Sequence, residues 1–87
     1  MNFRSWCVER GETEETSDPL KFESGRAAAE NWAREFDCRT GEYPIAKGES
    51  VTVLVRRVDV EDCPAIRYVV DADCVPQYYA HLMTVVP

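Results

Sequence analysis

The stretch SGRAAAENWAREFDC, residues 24–38, decides the fold, because it has the pattern of an amphipathic helix. Its apolar residues Ala29, Trp32, Ala33 and Phe36 recur at helical spacing and therefore share one face. Ser24 is well placed as an N-cap, since its hydroxyl can accept a hydrogen bond from an early helical N–H. We therefore expect one substantial helix whose apolar face packs on a second layer.

Polar and charged residues are predicted on the rest of the helix surface: Glu30, Asn31, Arg34, Glu35 and Asp37. Arg26 and Glu30, and also Glu30 and Arg34, are spaced as i,i+4 pairs of opposite charge. Such pairs contribute about 0.2–0.5 kcal/mol each on an exposed helix. A stop near Asp37–Thr40 is expected, because Gly41 suits a chain reversal.

Two short strands are predicted before the helix. Phe3–Arg10 alternates in hydropathy and ends at a glycine, while Leu20–Glu23 begins directly after Pro19, which a first or edge position allows. A polar, acidic connection, Glu12–Pro19, joins them. The second strand should pair back on the first.

Three further strands are predicted after the helix, at Ser50–Val60, Ala65–Asp71 and Cys74–Val86, the last either continuous or with a break. Tyr43 and Ile45 are expected to tuck under the end of the helix. The apolar phase of the first of these strands shifts after Arg56 and Arg57, which predicts a β-bulge there. We expect these arginines to pair with carboxylates across strands.

The order β-β-α-β-β-β predicts a two-layer α+β fold. Short connections favour antiparallel pairing, and the single helix must cover one face of a sheet of four to five strands. The length of 87 residues predicts a single domain, residues 1–87.

The charge balance points away from nucleic acid and membrane. The chain has 16 acidic residues against 10 Lys and Arg, a net charge of −6. This repels phosphate backbones and suits docking on a basic surface. No apolar run is long enough to span a bilayer, and the N-terminus lacks the pattern of a secretion signal, so we expect a cytoplasmic protein.

No motif in the sequence predicts catalysis, a metal site or a cofactor. Cys7, Cys38, Cys63 and Cys74 form no C-x-x-C pattern, and we expect free thiols, with a disulfide as the alternative. The single histidine, His81, has no local nucleophile signature. We expect a protein that is not an enzyme.

Acidic residues are the candidate partner-binding groups, since carboxylates can imitate phosphates and engage a basic groove. An exposed aromatic ring would add an anchor, and because Tyr78 and Tyr79 are adjacent in a strand, one ring should face each side. The candidates are Glu12, Glu14, Glu15, Asp18, Glu30, Glu35, Asp59, Glu61, Asp62 and Tyr79. Solvated turn acids are the alternative interpretation.

The runs AAENWAREFD and GEYPIAKGESVTVLVR, with the later VPQYYA, resemble short uncharacterised proteins of phages and prophages over about residues 20–80. Small acidic α+β proteins of that origin are similar in size and charge to anti-CRISPR proteins. The resemblance implies binding to a subunit of a bacterial defence complex such as CRISPR–Cas, inside the host cell. It implies no catalytic residue.

A second function class is a structural or accessory domain that self-associates through a sheet edge. The segment Leu82–Val86 is apolar and terminal, and exposed strand edges invite pairing. The sequence is compatible with a monomer or a homodimer.

Overall fold

A computed structural model describes residues 1–41, 44–45, 47–72 and 78–86. It contains one α-helix and five strands: β1 (Asn2–Trp6), β2 (Leu20–Lys21), α1 (Gly25–Thr40), β3 (Val51–Arg57), β4 (Ala65–Ala72) and β5 (Tyr78–Val86). Two 3₁₀ turns, Val8–Arg10 and Glu14–Thr16, lie between β1 and β2.

The five strands form one antiparallel sheet in the order β2-β1-β3-β4-β5. Helix α1 connects β2 to β3 and packs on one face of the sheet. The predicted two-layer α+β fold is therefore confirmed, and β2 pairs back on β1 as expected.

The ends of α1 follow from the sequence. The Ser24 hydroxyl accepts a hydrogen bond from the Ala27 N–H at 3.1 Å, which confirms the predicted cap. Gly41 closes the helix with φ of +72°, a left-handed conformation that glycine adopts without a steric penalty. Gly25 begins the helix where a Cβ would lie 2.9 Å from the Tyr68 hydroxyl oxygen, so a larger residue there would force the Tyr68 side chain to shift.

The core lies between α1 and the sheet. Small helix residues, Ala28, Ala29 and Ala33, let the helix approach the strands closely, and Phe36 fills the space at their end. The sheet contributes a second set of buried side chains: Phe3, Val51, Val53, Val55, Tyr68, Val70, Tyr78 and Ala80. Ile45 is fully buried, as predicted, whereas Tyr43 lies outside the described residues.

Two sequence predictions about the strands are wrong. β1 ends at Trp6 and not at Arg10, because the chain turns into 3₁₀ geometry at Val8. Pairing through Arg56 and Arg57 is regular, so no bulge lies there. The apolar phase shift arises because β3 ends at Arg57 and the following valines belong to the exposed β3–β4 turn.

The register shift of the sheet lies instead between β4 and β5. Tyr68 pairs with Leu82 and Arg67 pairs with Thr84, so Met83 is an extra residue in β5. The start predicted for this strand, Cys74, lies outside the described residues.

A buried carboxylate joins the helix to the rest of the fold. Asp37, predicted on the surface of α1 away from the apolar face, is instead fully buried. Its Oδ1 accepts a hydrogen bond from the Ile45 N–H at 3.1 Å, and its Oδ2 accepts one from the Tyr78 hydroxyl at 2.7 Å. One side chain thereby fixes the helix against the segment that follows it and against β5.

We expect Tyr78→Phe to destabilise the protein by about 1.5–3 kcal/mol, because it removes a donor from a buried charged acceptor. Urea unfolding measures the change. Tyr68→Phe is the matched control, since Tyr68 is also buried but its hydroxyl has no hydrogen-bond partner among the described residues. Equal effects of the two substitutions would contradict a special role for the Asp37 contact.

Candidate functional site

The carboxylates predicted to bind a partner fall into two groups. Glu12, Glu14, Glu30 and Asp59 make hydrogen bonds or ion pairs within the fold. Among the described residues, no hydrogen bond or ion pair engages the side chains of Glu15, Asp18, Glu35, Glu61 and Asp62. The second group is therefore more available to a partner than the first.

Glu12 connects the end of β1 to the helix. Its Oε1 accepts hydrogen bonds from the Cys7 N–H and from the Trp32 Nε1–H, both at 2.8 Å. The Cys7 N–H needs this acceptor because β1 has already ended at Trp6. Cys7 itself is buried, and burial raises the pKa of its thiol.

Glu14 holds the second 3₁₀ turn against the sheet. Its Oε1 lies 3.1 Å from the Arg56 Nε, and its carbonyl oxygen accepts a hydrogen bond from Arg4 Nη1 at 3.1 Å. Arg4 also donates to the Ser17 carbonyl. Arg56 thus pairs with a carboxylate, but the predicted cross-strand pairing is wrong, because the carboxylate comes from a turn and not from a neighbouring strand.

Glu30 reaches from the helix to an outer edge of the sheet. Its Oε2 accepts a hydrogen bond from the Ala80 N–H, on edge strand β5, at 2.9 Å. The predicted ion pairs with Arg26 and Arg34 are not formed, because the carboxylate turns towards the strand. This contact covers a donor that an edge strand would otherwise offer to another chain.

Asp59 anchors the β3–β4 turn. Its carboxylate accepts hydrogen bonds from Arg57 Nε at 2.9 Å and from the Asn2 N–H at 3.2 Å. The hydrogen bond with Arg57 is the main cause that lowers the pKa of Asp59 to about 2, and it raises the pKa of Arg57. Arg57 therefore also pairs with a carboxylate, but with one two residues later in the chain and not with one across a strand.

Two of the available carboxylates share a groove. It has a volume of about 220 Å³ and lies between α1 and the segment of residues 12–22. Asp18 lines it from the segment and Glu35 from the helix. Glu15 lies nearby in the chain, in the second 3₁₀ turn, whereas Glu61 and Asp62 lie apart in the β3–β4 turn.

Aromatic rings also line this groove, which we call the acidic groove. Trp32 and Phe36 stack with ring centroids 5.1 Å apart, and Phe22 and Phe3 also contribute to the lining. Arg39 is a cation in the lining, and its guanidinium lies 6.0 Å from the Phe36 ring centroid. Together with Glu12, the groove presents three carboxylates against one guanidinium.

Tyr79 lies outside the acidic groove. It is 37% exposed on the side of the sheet away from α1, while Tyr78 is buried beneath the helix, so the prediction of one ring on each face is confirmed. Trp6 is also buried and offers no exposed ring to a partner. Tyr79 therefore belongs to a surface separate from Asp18 and Glu35.

His81 and the cysteines show no catalytic arrangement in the described part of the chain. His81 Nε2 lies 3.2 Å from Asp71 Oδ1, and both side chains are exposed. No described cysteine or serine side chain makes a hydrogen bond to this histidine. Cys7, Cys38 and Cys63 are free, and Cys74 lies outside the described residues.

Sequence reasoning missed the apolar character of the sheet face opposite α1. Leu54, Val69 and Met83 project from β3, β4 and β5 on that side and stay partly or largely exposed. The alternation of each strand was visible in the sequence. The strand order that brings these residues together was not.

The comparisons with known proteins found no match: no family model, no curated protein and no solved structure matches this chain. Within the described residues, no group of three or more His, Cys, Asp or Glu side chains is arranged to hold a metal ion. No described helix has the length and apolar character needed to cross a membrane.

We expect Asp59→Asn to flatten the acid side of the pH–stability profile. The pKa of Asp59 is lower in the folded protein than its ordinary value of 3.8, so its contact stabilises fully above about pH 4 and is lost as the pH falls towards 2. The free energy of unfolding of the variant should therefore fall less steeply over that range.

Urea unfolding at several pH values between 2 and 6 measures this slope. Asp62→Asn is the matched control, because the Asp62 side chain has no partner in the described residues. The assignment fails if both variants keep the wild-type slope.

Proposed function

We propose that this chain is a binding protein, not an enzyme, and that it docks through the acidic groove on a basic surface of a protein partner. The observation that carries the proposal is the pair of available carboxylates, Asp18 and Glu35, beside stacked aromatic rings. Carboxylates and aromatic faces together favour one ligand chemistry, a lysine or arginine side chain.

The protein's own contacts illustrate this chemistry. The Arg10 guanidinium lies over the Phe36 ring, 4.8 Å from its centroid. A partner's cation would find a second aromatic surface at Trp32, with Glu35 one turn of the helix away. The hydrogen bond from Trp32 Nε1 to Glu12 keeps that indole ring in place, so the groove is preorganised and loses less entropy on binding.

The net charge of −6 supports the same class of partner. A negative protein is attracted to a basic surface over a distance of about 10 Å at moderate ionic strength, which speeds the encounter. The same charge disfavours direct contact with nucleic acid. A basic groove that normally holds nucleic acid is thus a suitable target.

The resemblance to phage-borne proteins suggests where such a groove is found. We propose that the partner is a subunit of a bacterial defence complex, of the CRISPR–Cas kind, and that the protein acts as an inhibitor in the cytoplasm of the host cell. Occlusion of a binding surface requires no cofactor and no catalytic residue, which fits a chain without a catalytic motif.

The test is a phage challenge in bacteria that carry different active CRISPR–Cas types. We expect the wild-type protein to restore plaquing against one type. Asp18→Asn/Glu35→Gln should reduce this restoration at least tenfold, because it neutralises the two carboxylates of the groove that have no partner in the described part of the fold. Binding of the purified partner should also weaken as the salt concentration rises.

Glu61→Gln/Asp62→Asn is the matched control, with the same change in charge at the distant β3–β4 turn, and it should keep most of the activity. Equal loss of activity in both double variants would contradict binding through the acidic groove and would indicate a general effect of the net charge. If soluble wild-type protein restores plaquing against none of the types, the proposal that the partner is a CRISPR–Cas subunit is contradicted.

A further inference from the structure

We propose that the sheet face opposite α1 is the interface of a two-fold symmetric homodimer. This face, which we call the open face, is formed by the outward side chains of β3, β4 and β5. The acidic groove lies on the opposite side of the sheet, where α1 packs. An antiparallel sheet with one uncovered face normally carries polar residues there. Here the uncovered residues include Leu54, Val69, Tyr79 and Met83.

The open face is continuous with the first 3₁₀ turn. Val8, Leu54, Arg67 and Met83 line one shallow depression of about 400 Å³ on this side of the sheet. Val8 and Met83 are 62% and 55% exposed. A cluster of exposed large apolar side chains in so small a protein is typical of a protein–protein interface.

The charges of the open face select a second copy of the chain as the occupant. Arg67, Val69 and Asp71 alternate along β4 and project on the same side. Arg67 donates a hydrogen bond to the Thr84 hydroxyl at 3.3 Å but makes no ion pair among the described residues. A cation and a carboxylate thus lie about 13 Å apart along one strand, with an apolar residue midway. The Asp71 carboxylate also lies 3.2 Å from Nε2 of His81, which is on the same face of β5 opposite Val69.

A two-fold axis makes this arrangement self-complementary if it lies between the two sheets, parallel to the sheet plane and perpendicular to the strands, and passes over Val69. It turns β4 of the second copy antiparallel to β4 of the first, so each Arg67 faces the Asp71 of the other copy. An axis parallel to the strands would instead oppose like charges. Two sheets packed face to face keep their strands within about 30° of each other, an offset that the long arginine side chain can span.

The same symmetry pairs apolar residues on β5. Tyr79 lies level with Asp71, and the pair of Thr84 and Arg67 places Met83 near the level of Arg67. Met83 of one copy therefore faces Tyr79 of the other, and methionine sulfur packs favourably against aromatic rings.

The open face is better suited to self-association than the sheet edge is. The sequence predicts pairing through the edge near Leu82–Val86, and β5 is indeed an edge strand. However, Glu30 already accepts the hydrogen bond of the Ala80 N–H, and the extra residue Met83 interrupts the strand. Both features hinder the addition of another strand.

Charge-swap variants test the proposal by sedimentation equilibrium at pH 8, with protein from about 1 μM to 1 mM. The wild type should shift with concentration from the monomer mass of 9.9 kDa to twice that value. Arg67→Glu and Asp71→Arg should each weaken dimerisation at least tenfold, because each opposes two pairs of like charges across the axis.

The double variant Arg67→Glu/Asp71→Arg should recover dimerisation to within a few fold of the wild type. Residues 67 and 71 are too far apart to pair within one chain, so a second copy is needed for this rescue. Arg34→Glu, the same charge change at an exposed helix position, is the control and should dimerise like the wild type. Circular dichroism and thermal unfolding confirm that each variant is folded.

Three results would overturn the proposal. A wild-type mass of 9.9 kDa at every concentration would assign the open face to a different protein. A dimer that neither single variant weakens would place the contact elsewhere, with the β5 edge as the first candidate. Single variants that weaken the dimer without rescue in the double variant would contradict the two-fold register.

Discussion

Backbone N–H groups that no neighbouring strand reaches must find another acceptor, and in this protein carboxylates provide it. Among the described residues, the N–H groups of Asn2, Cys7, Ile45, Thr52 and Ala80 donate to Asp59, Glu12, Asp37, Glu9 and Glu30 respectively. Asp37 matters most, because it is fully buried and also accepts from Tyr78. Without Glu12, Asp37 and Glu30, the buried or partly buried donors would lose their acceptors, whereas water can replace the exposed contacts of Asp59 and Glu9.

The acidic residues of the chain therefore have two different roles. One part completes the hydrogen bonding of a small sheet and is committed to the fold. The other part, which includes Asp18 and Glu35, has no such commitment and lies beside aromatic rings at the acidic groove. A net charge of −6 alone does not separate these parts, although they have opposite consequences for partner binding. The acidic groove lies on the side of the sheet that carries α1, and the open face lies on the opposite side, so the two surfaces can be tested independently.

The sequence predicted the fold well where one short pattern decides the outcome. Ser24 caps α1 and Gly41 ends it because both effects are local, and the apolar spacing of the helix is visible without the sheet. The partners of Glu12 and Glu30 could not be predicted, because the residues they contact lie far away in the chain. The prediction of a bulge at Arg56 and Arg57 was wrong for a related reason, because the alternation of apolar residues does not reveal where β3 ends.

Native-state hydrogen exchange at the Ile45 and Ala80 amides tests most directly whether carboxylates hold this fold together. Neither amide donates to a strand, and each has a carboxylate as its acceptor. We expect both to be strongly protected, with Ile45 exchanging only through unfolding of the whole protein, because Asp37 is buried. Exchange of both amides at the rates of exposed loop amides would contradict this role of the carboxylates. It would indicate that Asp37 and Glu30 do not hold these amides in stable hydrogen bonds.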